Sequence, residues 1–116
     1  MHEYPITQEI INIASKYALK DGCKKVCRIS LVMGENCGYL ADSIAMYFDI
    51  IAEGSPCDGA KLEFENIEAK LECKSCGKLF RRRPFEFSCP VPGCDGEGMP
   101  TEIGREFYIK SIEIEA

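Results

Sequence analysis

Helical and strand-like apolar patterns alternate along the chain, and two close cysteine pairs interrupt them late. Together they predict an α+β fold: a three-stranded sheet with two helices on one face plus an inserted four-cysteine zinc-knuckle module. The order is helix, strand, helix, strand, cysteine-rich stretch, strand. Three strands with one apolar face need covering, and two amphipathic helices supply the cover. The expected division is an α+β domain from residues 1–71 and 101–116, with the module at 72–100.

Residues 5–20 predict the first helix, because Ile6, Ile10, Ile13, Ala14 and Tyr17 recur at helical spacing. Pro5 suits a first turn, where its missing N–H costs nothing, and Gly22 ends the helix. Residues 1–4 are then expected to precede it as a short free arm. Residues 26–33 predict a strand, with Cys27, Ile29, Leu31 and Met33 on the apolar face and Val26, Arg28, Ser30 and Val32 on the other. A turn at 34–38 leads to a second helix over 40–53, with Leu40, Ile44, Phe48 and Ile51 inward and Gly54 after it. Residues 55–59 form a loop. Residues 61–70 predict a strand in which Leu62 and Phe64 alternate with charged residues, and Ile67 shifts phase as a bulge would. The last strand spans 105–115. The connections near Leu71 and at 100–104 are the expected hinges.

The cysteine-rich stretch reads Cys73-Lys-Ser-Cys76, then twelve residues, then Cys89-Pro-Val-Pro-Gly-Cys94. Two close pairs at this separation are the arithmetic of a zinc site. Each pair in a tight turn aims two thiolates at one centre, and four sulfurs in a tetrahedron suit Zn(II). Gly77, Gly93 and Gly96 stand where the chain must wrap closely. Four sulfurs leave no open coordination position, so the expected role is structural. Free or disulfide-bonded thiols are the competing reading.

Composition narrows the function. The chain has 116 residues and eight cysteines. No apolar run is long enough to span a bilayer, and the first residues carry no signal-peptide pattern. Cytoplasmic placement with reduced thiols is therefore expected. A net charge of −5 disfavours a general nucleic-acid binder. The run Arg81-Arg82-Arg83 is a local exception: a solvated strand or turn, or a docking patch for RNA or an acidic protein. No Gly-rich phosphate loop or nucleophile elbow occurs, and His2 is the sole histidine. A base near a chain end is poorly held for catalysis, so no enzyme is expected. A redox role for the Cys73–Cys76 pair is a distant alternative, since such pairs open a helix after a strand. Cys27 is expected to be buried on its strand, while Cys23, Cys37 and Cys57 fall in turns at irregular separation. Tyr and Phe residues are spread as core fillers.

The first three residues can also be read as a ligand set. The amine of Met1, the backbone nitrogens of His2 and Glu3 and the imidazole of His2 can close small chelate rings. Nitrogen donors in a plane suit Ni(II) or Cu(II). A histidine at the second position is more often incidental, and spacing does not decide between the two. Binding would displace protons from an amine and an imidazole, groups that ordinarily titrate near ~7.8 and ~6.5, so affinity would weaken in acid.

The opening Met1-His2-Glu3, the strand and turn Ser30-Leu31-Val32-Met33-Gly34-Glu35 and the late double cysteine pair together resemble the HypA/HybF family. These are nickel metallochaperones for maturation of nickel–iron hydrogenase. The resemblance covers essentially the whole chain. It implies nickel cargo on the N-terminal segment, with His2 the side-chain ligand and Met1 and Glu3 giving backbone nitrogens. It implies structural zinc on Cys73, Cys76, Cys89 and Cys94. It also implies a HypB-type GTPase and the hydrogenase large subunit as partners, and urease as a recipient in some bacteria. The four-residue spacing of the second cysteine pair and the lack of a histidine near the module depart from the commonest pattern.

Overall fold

The computed structural model describes residues 2–115. In chain order the elements are α1 (Glu3–Lys20), β1 (Lys25–Gly34), α2 (Ala41–Ile51), β2 (Lys61–Ile67), β3 (Lys70–Cys73), β4 (Leu79–Arg81), β5 (Gly98–Pro100) and β6 (Phe107–Glu115). They form two sheets of three strands, ordered β2-β1-β6 and β4-β3-β5. The molecule is elongated, with extents of 59 × 25 × 16 Å.

The first sheet is the expected one. β1 lies at its centre, parallel to β2 and antiparallel to β6. Parallel neighbours need a crossover, and α2 is that crossover. Ile29, Leu31 and Met33 of β1 join Ile44 and Phe48 of α2 in the buried cluster. The opposite face buries Val32 and is otherwise laced by charge. Arg28 on the central strand reaches Glu63 of β2 at 2.9 Å and Glu113 of β6 at 3.0 Å, and Lys110 reaches Glu65 at 2.8 Å.

α1 ends where Gly22 demands it. Gly22 takes φ +74°, its N–H donates to the Leu19 carbonyl, and the Cys23 N–H donates to the Ala18 carbonyl. These two bonds close a Schellman cap. The start differs from expectation. The helix begins at Glu3, so Glu3 and Tyr4 belong to its first turn and not to a free arm. The inward face differs too: Thr7, Ile10, Ile11, Ala14 and Ala18 are buried, while Ile13 and Tyr17 are exposed. Small residues allow the closest approach, and the expected stripe followed the larger side chains instead.

Three further expectations change. Cys27 is exposed, not buried. Val26 pairs with Ile114 and Arg28 with Glu113, so Cys27 is the extra residue of a bulge, and Val26 takes the inward place. Residues 61–70 are not one strand: β2 stops at Ile67 and β3 starts at Lys70 in the second sheet, so the phase shift at Ile67 marks an end. Leu40 is exposed at the N-cap of α2 and not part of its inward face.

The second sheet carries the cysteines, and one turn clamps it to the first. A Cβ on Gly34 would collide with the Gly104 carbonyl, so only glycine fits. The Glu35 carboxylate accepts the Ala69 N–H at 2.8 Å, and the Asn36 N–H donates to the Gly104 carbonyl at 2.6 Å. Gly34-Glu35-Asn36 thereby grips both chain segments that enter and leave the module. The Thr101 hydroxyl adds a bond to the Lys70 carbonyl at 2.7 Å. The two expected hinges are thus cross-tied.

Candidate metal centres

Cys73 sits at the end of β3, and Cys76 three residues on in the turn before β4. Gly77, at φ +77°, closes that turn by donating to the Cys73 carbonyl at 3.0 Å. Cys89 and Cys94 come from the long loop between β4 and β5. The Cys94 N–H donates to the Val91 carbonyl at 3.0 Å, and the Cys89 N–H to the Gly96 carbonyl at 2.9 Å. The four sulfurs lie within 4.8 Å of one another. Cys73 Sγ is 3.7 Å from Cys94 Sγ, and Cys76 Sγ is 3.7 Å from Cys89 Sγ.

These distances are far beyond the ~2.05 Å of a disulfide. They match the edge of a tetrahedron with metal–sulfur bonds of about 2.3 Å, which is roughly 3.8 Å. The N–H groups of Ser75 and Cys76 point at Cys73 Sγ at 3.4 and 3.5 Å. The Cys76 N–H foremost lowers the Cys73 thiol to about 6, against burial. For Cys89 the Val91 N–H favours the thiolate, yet burial and the surrounding sulfurs outweigh it and hold the thiol up at about 12. Four sulfurs within 4.8 Å of one another could together hold a cation, whose positive charge would offset that of the thiolates. A Cβ on Gly96 would strike Cys73 Sγ, so that glycine makes room for the cage.

The N-terminal ligand candidates are arranged quite differently. His2 is the exposed N-cap of α1 and makes no side-chain capping bond. Glu3 is buried, and its carboxylate accepts the N–H of Leu40, at the entry of α2, at 3.1 Å. That N–H foremost holds the Glu3 carboxyl below the usual carboxylate range, opposed by burial and assisted by its own backbone N–H. The Thr7 hydroxyl donates to the Glu3 carbonyl. Glu3 therefore staples the starts of both helices, a role that side-chain type alone did not signal. Met1 lies outside the described residues.

The remaining cysteines form no second cage: among the described residues only Cys73, Cys76, Cys89 and Cys94 bring three or more such ligands together. Cys57 is fully buried beside the Ser15 hydroxyl at 3.5 Å, and burial pushes its thiol up. Cys23 is buried at the end of α1, and Cys37 is half-buried. Two of the three consecutive arginines are paired: Arg81 with Glu68 at 3.1 Å and Arg83 with Glu86 at 3.5 Å. Arg82 instead lies over the Phe87 ring at 5.3 Å. The aromatic residues are not all core fillers, since Phe85 is wholly exposed and Tyr4, Tyr17, Phe87 and Tyr108 are about half exposed.

A family model described as "Hydrogenase/urease nickel incorporation, metallochaperone, hypA" matches residues 1–114. Hydrogenase maturation factor HypA of Caldanaerobacter subterraneus is 40% identical over 116 residues, covering 99% of this chain and all of the relative. The protein of the same name from Dehalococcoides mccartyi is 37% identical over 115 residues, covering 99% of this chain and 95% of its own length. Among solved structures, the solution structure of the Ni metallochaperone HypA from Helicobacter pylori superposes with a TM-score of 0.65 at 26% identity, covering 100% of this chain and 99% of that one. A second, titled as the solution structure of HypA protein, gives 0.69 at 25% identity over 99% of this chain and 97% of its own.

Proposed function

This chain belongs to the HypA family of nickel-incorporation metallochaperones, which are maturation factors and not enzymes, and we propose that it carries one Ni(II) at its N-terminus and delivers it to nickel–iron hydrogenase. The observation that carries this reading is the register of α1. Because the helix starts at Glu3, the backbone nitrogens of His2 and Glu3 precede the ladder of helical hydrogen bonds. Deprotonating them for a metal breaks no bond of the helix. The helix N-terminus also favours the negative charge that such nitrogens acquire. The exposed His2 imidazole and the amine of Met1 complete the proposed set. An exposed site can release its ion without moving packed groups, which delivery requires.

The four-sulfur cage holds Zn(II) as a closed structural site on Cys73, Cys76, Cys89 and Cys94, supported by its tetrahedral spacing. Residues 1–71 and 101–116 act as the nickel-carrying domain, and 72–100 as the zinc module. The partners are a HypB-type GTPase and the hydrogenase large subunit, with urease a further recipient. The protein works in the cytoplasm, where grouped thiols stay reduced.

The test is nickel titration of zinc-loaded protein with a free N-terminus, beside His2→Ala, with zinc followed in both. Wild type binds about one nickel ion, and the variant binds none while keeping its zinc. Equal binding by both proteins refutes the N-terminal site and turns attention to the cysteines outside the cage.

A further inference from the structure

A cleft of about 720 Å³ opens at the clamp, lined by β3 and β5 of the second sheet, by the turn at Asn36 and Cys37 that follows β1, and by the segments that join the two sheets. Its charge is opposite to that of the chain. Lys70, Arg82 and Arg105 line it, and no carboxylate does, in a protein of net charge −5. Among the described residues neither Lys70 nor Arg82 makes an ion pair, and Arg105 has only an exposed partner, Glu102, at 3.7 Å. Three nearby acids are tied into other contacts: Glu35 accepts the N–H of Ala69 at the cleft's edge, Glu106 accepts the Gly104 N–H, and Glu68 pairs with Arg81. Apolar wall comes from Leu71, Phe87, Pro100 and Ile103. The floor is preformed, because Thr101 Oγ1 bonds both the Lys70 carbonyl and the Ile103 N–H, at 2.7 and 3.1 Å.

We propose that this cleft binds an extended acidic segment of a partner protein, its carboxylates on Lys70, Arg82 and Arg105 and its apolar side chains against Phe87 and Ile103. Cations with apolar walls between them fit alternating acid and hydrophobe. Three cations amid a net negative surface do not fit a long polyanion such as RNA, which needs a basic track. A segment seated here touches the second sheet and the turn at Asn36 and Cys37 that leads out of β1. Occupancy thereby adds to the clamp that already ties the module to the body.

The probe is a capped octapeptide of alternating glutamate and leucine, titrated into the full zinc-loaded chain and followed by amide NMR. Its glutamine counterpart and an oligouridylate serve as controls. The acidic peptide shifts amides at Ala69, Lys70, Thr101 and Ile103. The glutamine peptide and Arg82→Ala each bind at least about tenfold more weakly, as expected for loss of charge-assisted bonds. Retained zinc and unchanged amide shifts in β1 show that the variant is folded. No binding of the acidic peptide, equal binding of the glutamine peptide, tighter binding of the oligouridylate, or shifts confined to another surface would each overturn the proposal.

Discussion

The body and the module bury their interiors by different means. Among the described residues, thirteen side chains from Ile10 to Cys57 form the buried cluster of the body, with ten more half-buried around it. The module buries four, Leu71, Cys73, Phe80 and Cys89, and two of these are cage cysteines. Burying Leu71 and Phe80 contributes roughly 1.5–3 kcal/mol each, while ordering one backbone residue costs about 1–2 kcal/mol. The body can fold on the hydrophobic effect. The module buries too little to do so, and on the proposed zinc reading its order depends on the ion that its sulfurs would hold.

The most forceful way to break this contrast is to remove the metal. Cys76→Ser, or chelation of the wild type, should abolish order in β3, β4 and β5, since a structural zinc site contributes on the order of 10 kcal/mol. Native-state amide exchange measures both regions in one experiment. The module's amides lose protection, while Ile10, Leu31 and Ile112 keep theirs. Loss of protection throughout would mean that the body leans on the module, contrary to its separate core.

The clamp is the next point of attack. Gly34→Ala places a methyl group against the Gly104 carbonyl, so backbone must shift. Such overpacking costs about 1–3 kcal/mol. Urea unfolding followed by far-UV circular dichroism should show a lower midpoint with zinc still bound. An unchanged midpoint would show that the two sheets are joined loosely and that Gly34 is there for another reason.

The fold class and the cage were legible in the sequence because their signals are local. Periodicity placed β1, α2 and β6, and four cysteines at the right spacing stood out from any background. What escaped was decided by contacts distant in sequence. The second sheet was hidden because β4 and β5 have only three residues each, too few to show a period. Cys27 was misplaced because its bulge depends on pairing with β6, at the far end of the chain. Glu3 was read only for its backbone, since its partner Leu40 lies 37 residues away.

Glu3 gives a gentler test, by pH. Its folded-state carboxyl lies below the ordinary value, so ionised Glu3 stabilises the folded state. That contribution is complete above the ordinary carboxylate value of about 4.3 and fades as pH falls through the lower folded value. Wild type should therefore lose stability through this acidic window, and Glu3→Gln should lose less over the same interval. Identical slopes would mean that the Leu40 contact does not distinguish the charged from the neutral group.

His2→Ala should disturb the fold least of all. The imidazole is exposed and caps nothing, so its removal should change unfolding free energy by less than about 0.5 kcal/mol. The comparison is sharpest here. On the proposed zinc reading, the cysteines that bind metal in the module are also residues of its buried cluster, so that binding is not lost without folding. At the start of α1 the proposed side-chain ligand is separable from the fold, because the Glu3 carboxylate and the Thr7 hydroxyl fix the helix while His2 faces solvent. A thermal melt of nickel-free His2→Ala beside wild type measures this directly. Coincident melts mean that the His2 imidazole is free to take up and release a metal without cost to the fold. A lower melting temperature means that His2 also supports the helix start, and releasing a metal there would then loosen α1.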